Sequence, residues 1–260
     1  MRILMIGDVV GRPGRHCLRD MLPQIKKNYQ IDFTVANGEN LAGGTGFNEK
    51  TAAEVFAYGV DVLTMGNHVW DKKEALEYIV QEPRIIRPIN YPPETPGRGF
   101  GIFNTPVGRI GIVNACGRIF MKPLECPFRT VAAAVEEIKK ETNLILVDFH
   151  AEATSEKIAM GCFLDGRVSA VVGTHTHVQT ADERILAGGT AYITDVGMTG
   201  PRESVLGIAP EVVVRRFLTQ MPQRFTVATG LVQFNAVCLE VDRTTGLAKN
   251  IIRIIDFHEL

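Results

Sequence analysis

The segment Gly173–His177 reads GTHTH and places two histidines, His175 and His177, one residue apart. They follow an apolar, β-branched run, residues 168–172, which is typical of a short buried strand. Two imidazoles just beyond a strand can face one point, and neutral imidazole is the commonest protein ligand for transition metals. The spacing alone does not distinguish a metal site from two hydrogen-bonded loop histidines.

Polar residues able to bind a metal follow four further apolar runs. They are Asp8 after residues 3–6, Glu39 and Asn40 after 33–36, Asn67 and His68 after 60–65, and His150 after 144–149. In open α/β sheets, ligands gather at the carboxyl ends of the strands, so these residues can converge with the histidine pair. Each has a structural explanation when taken alone, such as a helix cap or a turn residue. The joint placement predicts a site, and we interpret the other two histidines, His16 and His258, as structural.

This set of residue types indicates a particular metal chemistry. Carboxylate, amide and imidazole ligands without a thiolate suit manganese, iron or zinc better than calcium or copper(I). The set is larger than one ion needs, and two ions sharing a bridging carboxylate would lie about 3.5–4 Å apart and activate a water between them. That arrangement suits in-line attack on phosphorus. The departing oxygen then needs a proton, and His68 beside Asn67 is the candidate donor.

Composition narrows the function classes. The chain has 260 residues, 45% of them hydrophobic and 22% charged, with a formal net charge of -1. This balance gives no electrostatic support for binding nucleic acid or an anionic membrane. The five cysteines show no C-x-x-C spacing and fit a reducing compartment. The N-terminus does not have the pattern of a signal peptide, and no stretch has the roughly 18 apolar residues of a membrane span. We therefore expect a cytoplasmic protein with a small-molecule partner. The sequence leaves open whether it forms a homo-oligomer.

The order of predicted strands and helices along the chain predicts a mixed-sheet α/β fold in a single domain, residues 1–260. Helices are predicted over about residues 15–29, 48–58, 130–142 and 155–162, and Asp71 is a plausible N-cap for another helix that includes Ala75 and Ile79. Residues 83–108, rich in proline, predict an irregular connection packed on the core. Residues 231–241 and 248–257 predict an antiparallel hairpin.

The motifs resemble the calcineurin-like metallophosphoesterases. The segment 66–68 matches that family's G-N-H motif, His150 its single-histidine motif, and residues 173–177 its G-H-x-H element with threonine in place of the first histidine. The segments 6–11, 37–40 and 66–71 are similar, more closely, to the bacterial YmdB-like branch. The wider family's D-x-H motif lacks its histidine here, and its G-D-x-x-D motif is replaced by Gly38-Glu39-Asn40, as in that branch.

The resemblance implies a fold, a ligand set and a substrate. The fold would be a four-layer αββα sandwich of mixed sheets flanked by helices. One ion would be bound by Asp8, Glu39, Asn40 and His177, and the other by Glu39, Asn67, His150 and His175. The metals would be iron or manganese, and the reaction would be hydrolysis of cyclic nucleotides such as 2',3'-cyclic AMP. In this hypothesis a metal-bridging hydroxide attacks phosphorus, and His68 protonates the leaving oxygen.

Two alternatives stay open on the sequence. A phosphomonoesterase or nucleotidase would use the same ions, because the choice between esters depends on the pocket rim. That rim would include residues 43–47 and 195–202, although both segments could be structural turns. A metal-stabilised regulatory scaffold is favoured by the missing D-x-H histidine and disfavoured by the retention of His68.

Overall fold

The computed structural model describes residues 1–259, which form fourteen strands and six helices. The strands are β1 (Arg2–Ile6), β2 (Asp8–Val9), β3 (Phe33–Asn37), β4 (Val62–Thr64), β5 (Ile85–Ile86), β6 (Phe100–Thr105), β7 (Gly108–Cys116), β8 (Ile145–His150), β9 (Ala170–Thr174), β10 (Arg184–Ile185), β11 (Ala191–Ile193), β12 (Met198–Pro201), β13 (Val232–Val241) and β14 (Ala248–His258). The helices are α1 (Gly11–Tyr29), α2 (Glu49–Ala57), α3 (Ala75–Gln81), α4 (Pro127–Ile138), α5 (Thr154–Leu164) and α6 (Pro210–Thr219). Within the described residues, no helix has both the length and the apolar character needed to cross a membrane.

The strands form two mixed sheets. The first has the order β2-β12-β13-β1-β3-β4-β5, with β14 paired to β13, and the second has the order β10-β11-β9-β8-β7-β6. In the first sheet β1, β3, β4 and β5 run parallel, and β13 pairs antiparallel with β1 and β14. In the second sheet β7, β8, β9 and β11 run parallel between antiparallel edge strands. The parallel strands of each sheet therefore present their carboxyl ends at one edge.

Side-chain alternation along the strands produces four layers. In β1, Ile3 and Met5 lie in the core between the two sheets, whereas Leu4 and Ile6 pack with α1 and its neighbouring helices. On the far side of the second sheet, Val147 and Phe149 of β8 belong to a third apolar core that includes residues of α4 and α5. Strands buried on both faces read as continuous apolar runs, which is why the sequence shows them so clearly. The order of layers is helix, sheet, sheet, helix, and the predicted fold class is confirmed.

The N-termini of α1 and α3 differ from the expected starts, and α4 begins three residues earlier than predicted. α1 begins at Gly11, four residues before the predicted start, because Pro13 lies in the first turn, where a missing N–H costs no helical hydrogen bond. The prediction that Asp71 caps α3 is wrong, because α3 begins at Ala75 with Glu74 at the N-cap. Asp71 instead contacts His68.

The strands β5 and β6 and the helix α6 are not expected from the sequence. Residues 83–108 contain β5 and also β6, which pairs antiparallel with β7, so this segment is not irregular throughout. α6 has only Val213 buried, and its other apolar residues do not form a stripe facing the core. The predicted helix α2 and the C-terminal hairpin of β13 and β14 are present, and Asn48 and Thr51 form a capping box at the start of α2.

Candidate metal centre

The predicted ligands lie at the edge where the carboxyl ends of both sheets meet. The Nε2 atom of His150, at the end of β8, lies 3.0 Å from Oε1 of Glu39 and 3.1 Å from Oδ1 of Asn67. The same nitrogen lies 3.0 Å from Nδ1 of His175, and the two imidazole rings meet nearly edge-on at 4.8 Å. Four side chains from four different strand ends therefore present donor atoms to one point.

Asp8 and His177 form the other half of this cluster. Oδ1 of Asp8 lies 3.8 Å from Nε2 of His177 and 3.8 Å from Nδ1 of His150. Its Oδ2 accepts a hydrogen bond from the backbone N–H of His175 at 3.2 Å. Asn40 is the residue after Glu39, is buried, and donates from Nδ2 to the carbonyl of Gly44 at 2.9 Å. The seven residues proposed from the sequence as ligands thus occupy one edge of the molecule.

The cluster fits a cation better than it fits a self-contained hydrogen-bond network. Oδ1 of Asp8 and Oδ1 of Asn40 are buried and find no hydrogen-bond partner within residues 1–259. A buried polar atom without a partner costs free energy, so two such oxygens, of which the Asp8 oxygen lies 3.8 Å from His150 and from His177, favour a bound cation. The donor set of Glu39, His150 and His175 is also compact, with ligand atoms within 4.8 Å of one another.

The ionisation of these residues also favours a cation. Burial raises the pKa of the Asp8 carboxyl to about 6, because its charged form lacks solvation. For Glu39, burial opposes ionisation, but the charge and hydrogen bond of His150 lower the pKa to about 2. For His150, burial is likewise outweighed by Glu39, Asp8 and Asp148, and the pKa rises to about 9. The His150 proton offsets the charge of Glu39, and a bound cation would take over that role.

A polar network behind His150 fixes its ring. Nδ1 of His150 lies 2.9 Å from Oγ1 of Thr174, which donates to Oδ1 of Asp148 at 2.7 Å. Asp148 also accepts from Thr64 and Asn37 of the first sheet. Burial raises the pKa of Asp148, while His150 and these donors oppose the shift. Partners of this kind orient metal-binding histidines. The sequence contains one indication of this network. Asp148 is a charged residue two positions before His150 in an apolar run, so both side chains lie on the same face of a buried strand.

Glu152 plays the corresponding role for His175. Its Oε2 lies 3.0 Å from Nε2 of His175, on the opposite side of the ring from His150. Burial, followed by the charge of His150, lowers the pKa of His175 to about 3, so this ring is neutral. A carboxylate this close to Nε2 favours the neutral tautomer that is protonated there, whose lone pair is on Nδ1, facing His150 and Glu39. The sequence did not indicate Glu152, because an acidic residue two positions after a histidine is common on surfaces.

His68 is not among the closely packed donor atoms of this cluster. Its backbone N–H donates to Oε2 of Glu39 at 2.8 Å, and its ring Nδ1 lies 2.7 Å from Oδ2 of Asp71. The side chain is 34% exposed. A carboxylate on Nδ1 orients the ring and leaves Nε2 as the nitrogen that can transfer a proton.

Gly66 is required by the close packing around Glu39 and His150. A Cβ atom at this position would overlap Oε2 of Glu39 and the ring of His150. The glycine of the G-N-H motif therefore allows the backbone before Asn67 to approach the cluster.

The two segments proposed as the pocket rim, residues 43–47 and 195–202, differ in backbone conformation and in burial. Gly43, Gly44 and Gly46 adopt positive φ in the loop after Asn40, while Phe47 is buried in the core. In the segment 195–202, Asp195 is fully buried and residues 198–201 form β12. Much of this second segment is therefore an internal part of the fold, and Asp195 does not lie on a rim.

Comparison with known proteins identifies the family. A family model described as "YmdB-like protein" matches residues 4–254 of this chain. The chain belongs to the YmdB-like family. A Bacillus subtilis (strain 168) protein named 2',3'-cyclic-nucleotide 2'-phosphodiesterase is 49% identical over 255 residues, covering 98% of this chain and 97% of that protein.

Solved structures support the same assignment. The crystal structure of a novel phosphatase from Mycoplasma pneumoniae is similar, with 36% identity and a TM-score of 0.94 over 100% of this chain and 94% of that one. The Haemophilus influenzae NAD nucleotidase matches at 14% identity with a TM-score of 0.61, over 100% of this chain and 56% of that one, which shows a shared fold alone. The predicted family, the predicted fold and the prediction that the chain is an enzyme are confirmed by these matches.

Proposed function

We propose that this enzyme hydrolyses 2',3'-cyclic nucleotides, with 2',3'-cyclic AMP as a representative substrate, at a centre that holds two metal ions. The observation that carries the proposal is the convergence of ligand-type side chains from five strand ends, with the Asp8 and Asn40 oxygens buried and unpartnered within residues 1–259. The name of the 49% identical Bacillus subtilis relative supports the choice of substrate.

The side chains divide into two groups around Glu39. Asp8, Glu39, Asn40 and His177 would hold one ion, and Glu39, Asn67, His150 and His175 would hold the other. The second group is supported by the distances of 3.0–3.1 Å around Nε2 of His150. The first is supported by the unpartnered oxygens of Asp8 and Asn40, of which the Asp8 oxygen lies 3.8 Å from Nε2 of His177. Oxygen and imidazole ligands suit iron or manganese, and zinc is the third choice. When bound, two such ions supply Lewis acidity that activates water and offsets charge on the phosphoryl oxygens.

The chain's own residues would control the proton transfer. Asp71 holds Nδ1 of His68, so that the ring can carry a proton on Nε2 for the leaving ribose oxygen. The backbone N–H of His68 also fixes Oε2 of Glu39, which connects the position of the proton donor to that of the shared ligand. Positioning of this kind contributes to rate because no reorganisation is needed when the bond breaks.

The test is hydrolysis of 2',3'-cyclic AMP by protein that has been stripped of metal and then reloaded with Mn²⁺. We expect turnover only after reloading, and loss of turnover in Asn67→Ala, because that change removes the amide oxygen beside His150. Thr219→Ala, an exposed change at the end of α6, is the matched control and should leave the rate unchanged.

Comparison of the cyclic diester with the monoester 3'-AMP separates the two enzyme classes. A faster reaction of the monoester would favour the phosphatase or nucleotidase alternative, which is suggested by the name of the Mycoplasma pneumoniae relative. Protein that binds two metal ions and cleaves neither ester would contradict the proposal and favour a scaffold.

A further inference from the structure

A buried ion pair that the proposed reaction does not use lies next to the loop that carries His175 and His177. Nζ of Lys157, in the first turns of α5, lies 2.6 Å from Oδ2 of Asp195, and both side chains are 1% exposed. Burying two charges is costly, and such a pair is often no more stabilising than apolar residues of the same size. Its presence therefore calls for an explanation other than stability.

The Asp195 carboxylate is bonded to the residue between the two histidines. Its Oδ2 accepts from the backbone N–H of Thr176 at 3.0 Å and from Oγ1 of Thr176 at 2.7 Å. The flanking residues have unusual backbone angles, with φ of 105° at His175 and 63° at His177. Residues other than glycine rarely adopt this region unless the surrounding structure holds them there. The two bonds to Thr176 supply that restraint.

The same carboxylate also fixes the backbone that supports Asp8. Oδ1 of Asp195 accepts from the N–H of Gly197 at 2.8 Å, and the carbonyl of Gly197 accepts from the N–H of Asp8 at 3.0 Å. Gly197 has a φ of 81°, and a Cβ atom there would overlap Asn235. Asp195 thus connects, through one bonded residue on each side, to both histidines of the loop and to Asp8.

We propose that Lys157 and Asp195 form a positioning pair for the metal centre. Asp195 sets the backbone of residues 175–177 and of Asp8, and Lys157 compensates the buried charge of Asp195. Neither residue touches the metal or the substrate. The inference rests on the proposed function, because it assigns these residues a role in holding ligands of the proposed ions.

The decisive variant is Asp195→Asn. It keeps the size of the side chain but replaces one of two accepting oxygens by an amide nitrogen, so a bond to either Thr176 or Gly197 is lost. We expect Mn²⁺ affinity, measured by calorimetry on metal-stripped protein, to fall about 10- to 100-fold, the usual effect of removing a partner that orients a ligand. Hydrogen exchange of the Thr176 amide should become faster in the metal-free variant.

Two further variants distinguish weaker Mn²⁺ binding from a general loss of stability or of folding. Ile138→Ala opens the core at the far end of α4, remote from the loop, and should lower the melting temperature without weakening Mn²⁺ binding. If Asp195→Asn alone does not fold, the double variant Lys157→Met with Asp195→Asn removes both buried charges and carries the same test. It should also bind Mn²⁺ more weakly than the wild type.

The outcomes separate this inference from the proposed function. Wild-type protein that binds no Mn²⁺ would overturn the proposed metal centre and this role with it. Wild-type protein that binds Mn²⁺, together with an Asp195→Asn variant of equal affinity, would overturn the positioning role alone, even if the Thr176 amide exchanges faster. Weaker binding in the Asp195 variants and normal binding in Ile138→Ala would support it.

Discussion

Replacing Asp71 by asparagine tests the proposed proton donor without removing it. The asparagine oxygen can still accept from Nδ1 of His68, so the ring stays in place, but the hydrogen bond to a charged carboxylate becomes one to a neutral amide. A hydrogen bond to a charged group is worth about 1.5–3 kcal/mol. Because the two side chains are 34% and 37% exposed, solvent screens the pair and about 1–2 kcal/mol is the better figure. That range corresponds to a kcat about 5- to 30-fold lower.

The assay is steady-state hydrolysis of 2',3'-cyclic AMP with Mn²⁺, reporting kcat and KM separately. We expect KM and metal content to stay near wild-type values, since Asp71 is not one of the proposed ligands. Glu74→Gln changes another carboxylate of the same segment, one without a side-chain capping bond, and should leave kcat unaltered.

A double variant shows whether Asp71 acts through His68. His68→Ala alone should lower kcat by roughly 10²- to 10⁴-fold, the usual contribution of a general acid. Adding Asp71→Asn to His68→Ala should cause no further loss, because the residue it orients is gone. An additive loss, or a wild-type kcat for Asp71→Asn alone, would refute the role of this pair.

Three other predictions concern the metal ligands. Glu152→Gln should weaken Mn²⁺ binding about 10-fold in calorimetry, because the amide holds Nε2 of His175 less firmly; unchanged affinity would exclude this role. Gly66→Ala should abolish Mn²⁺ binding with an unchanged far-ultraviolet circular dichroism spectrum, since the added methyl group overlaps Glu39 and His150; retained binding would contradict the close packing. Adding Mn²⁺ at 100 times its Kd to stripped protein should contribute about 2.7 kcal/mol of stability. The melting temperature should then rise by roughly 5–10 °C, and no rise would argue against a metal in this cluster.

The convergence of the proposed ligands could be predicted because the chain places these residues by a simple rule. Strands buried on both faces read as apolar runs, and the residue that ends such a run lies at the edge of its sheet. Asp8, Glu39, Asn67, His150 and His175 all follow this rule, although they come from two different sheets. Convergence required only that the carboxyl ends of both sheets face the same side, as they do in the sandwich.

The supporting residues could not be predicted in the same way. The spacing of Asp71 from Ala75 predicts a helix cap, and only the loop geometry directs Asp71 to His68 instead. Glu152 and Asp195 contact residues more than a dozen positions away, through loops whose backbone angles no apolar pattern encodes. The helix α6 could not be predicted either, because its apolar residues do not form a buried face that would show as a helical pattern.

Apolar contacts and hydrogen bonds between the two sheets contribute to the cluster in different ways. The apolar contacts decide at which edge of the sheets the cluster lies, and the hydrogen bonds set the distances between its side chains. The core between the sheets is apolar, and apolar contacts are non-directional, so they tolerate small shifts of one sheet over the other. Such shifts would move His150 and His175 relative to Glu39 and Asn67. At this edge, however, Asp148 of the second sheet accepts from Thr64 and Asn37 of the first, and Asn114 accepts from the N–H of Met65. Hydrogen bonds depend steeply on distance and angle, so these buried bonds fix the offset of the sheets where the ligands meet. The apolar pattern thus brings the proposed ligands to one side, and directional bonds between the sheets hold them close together.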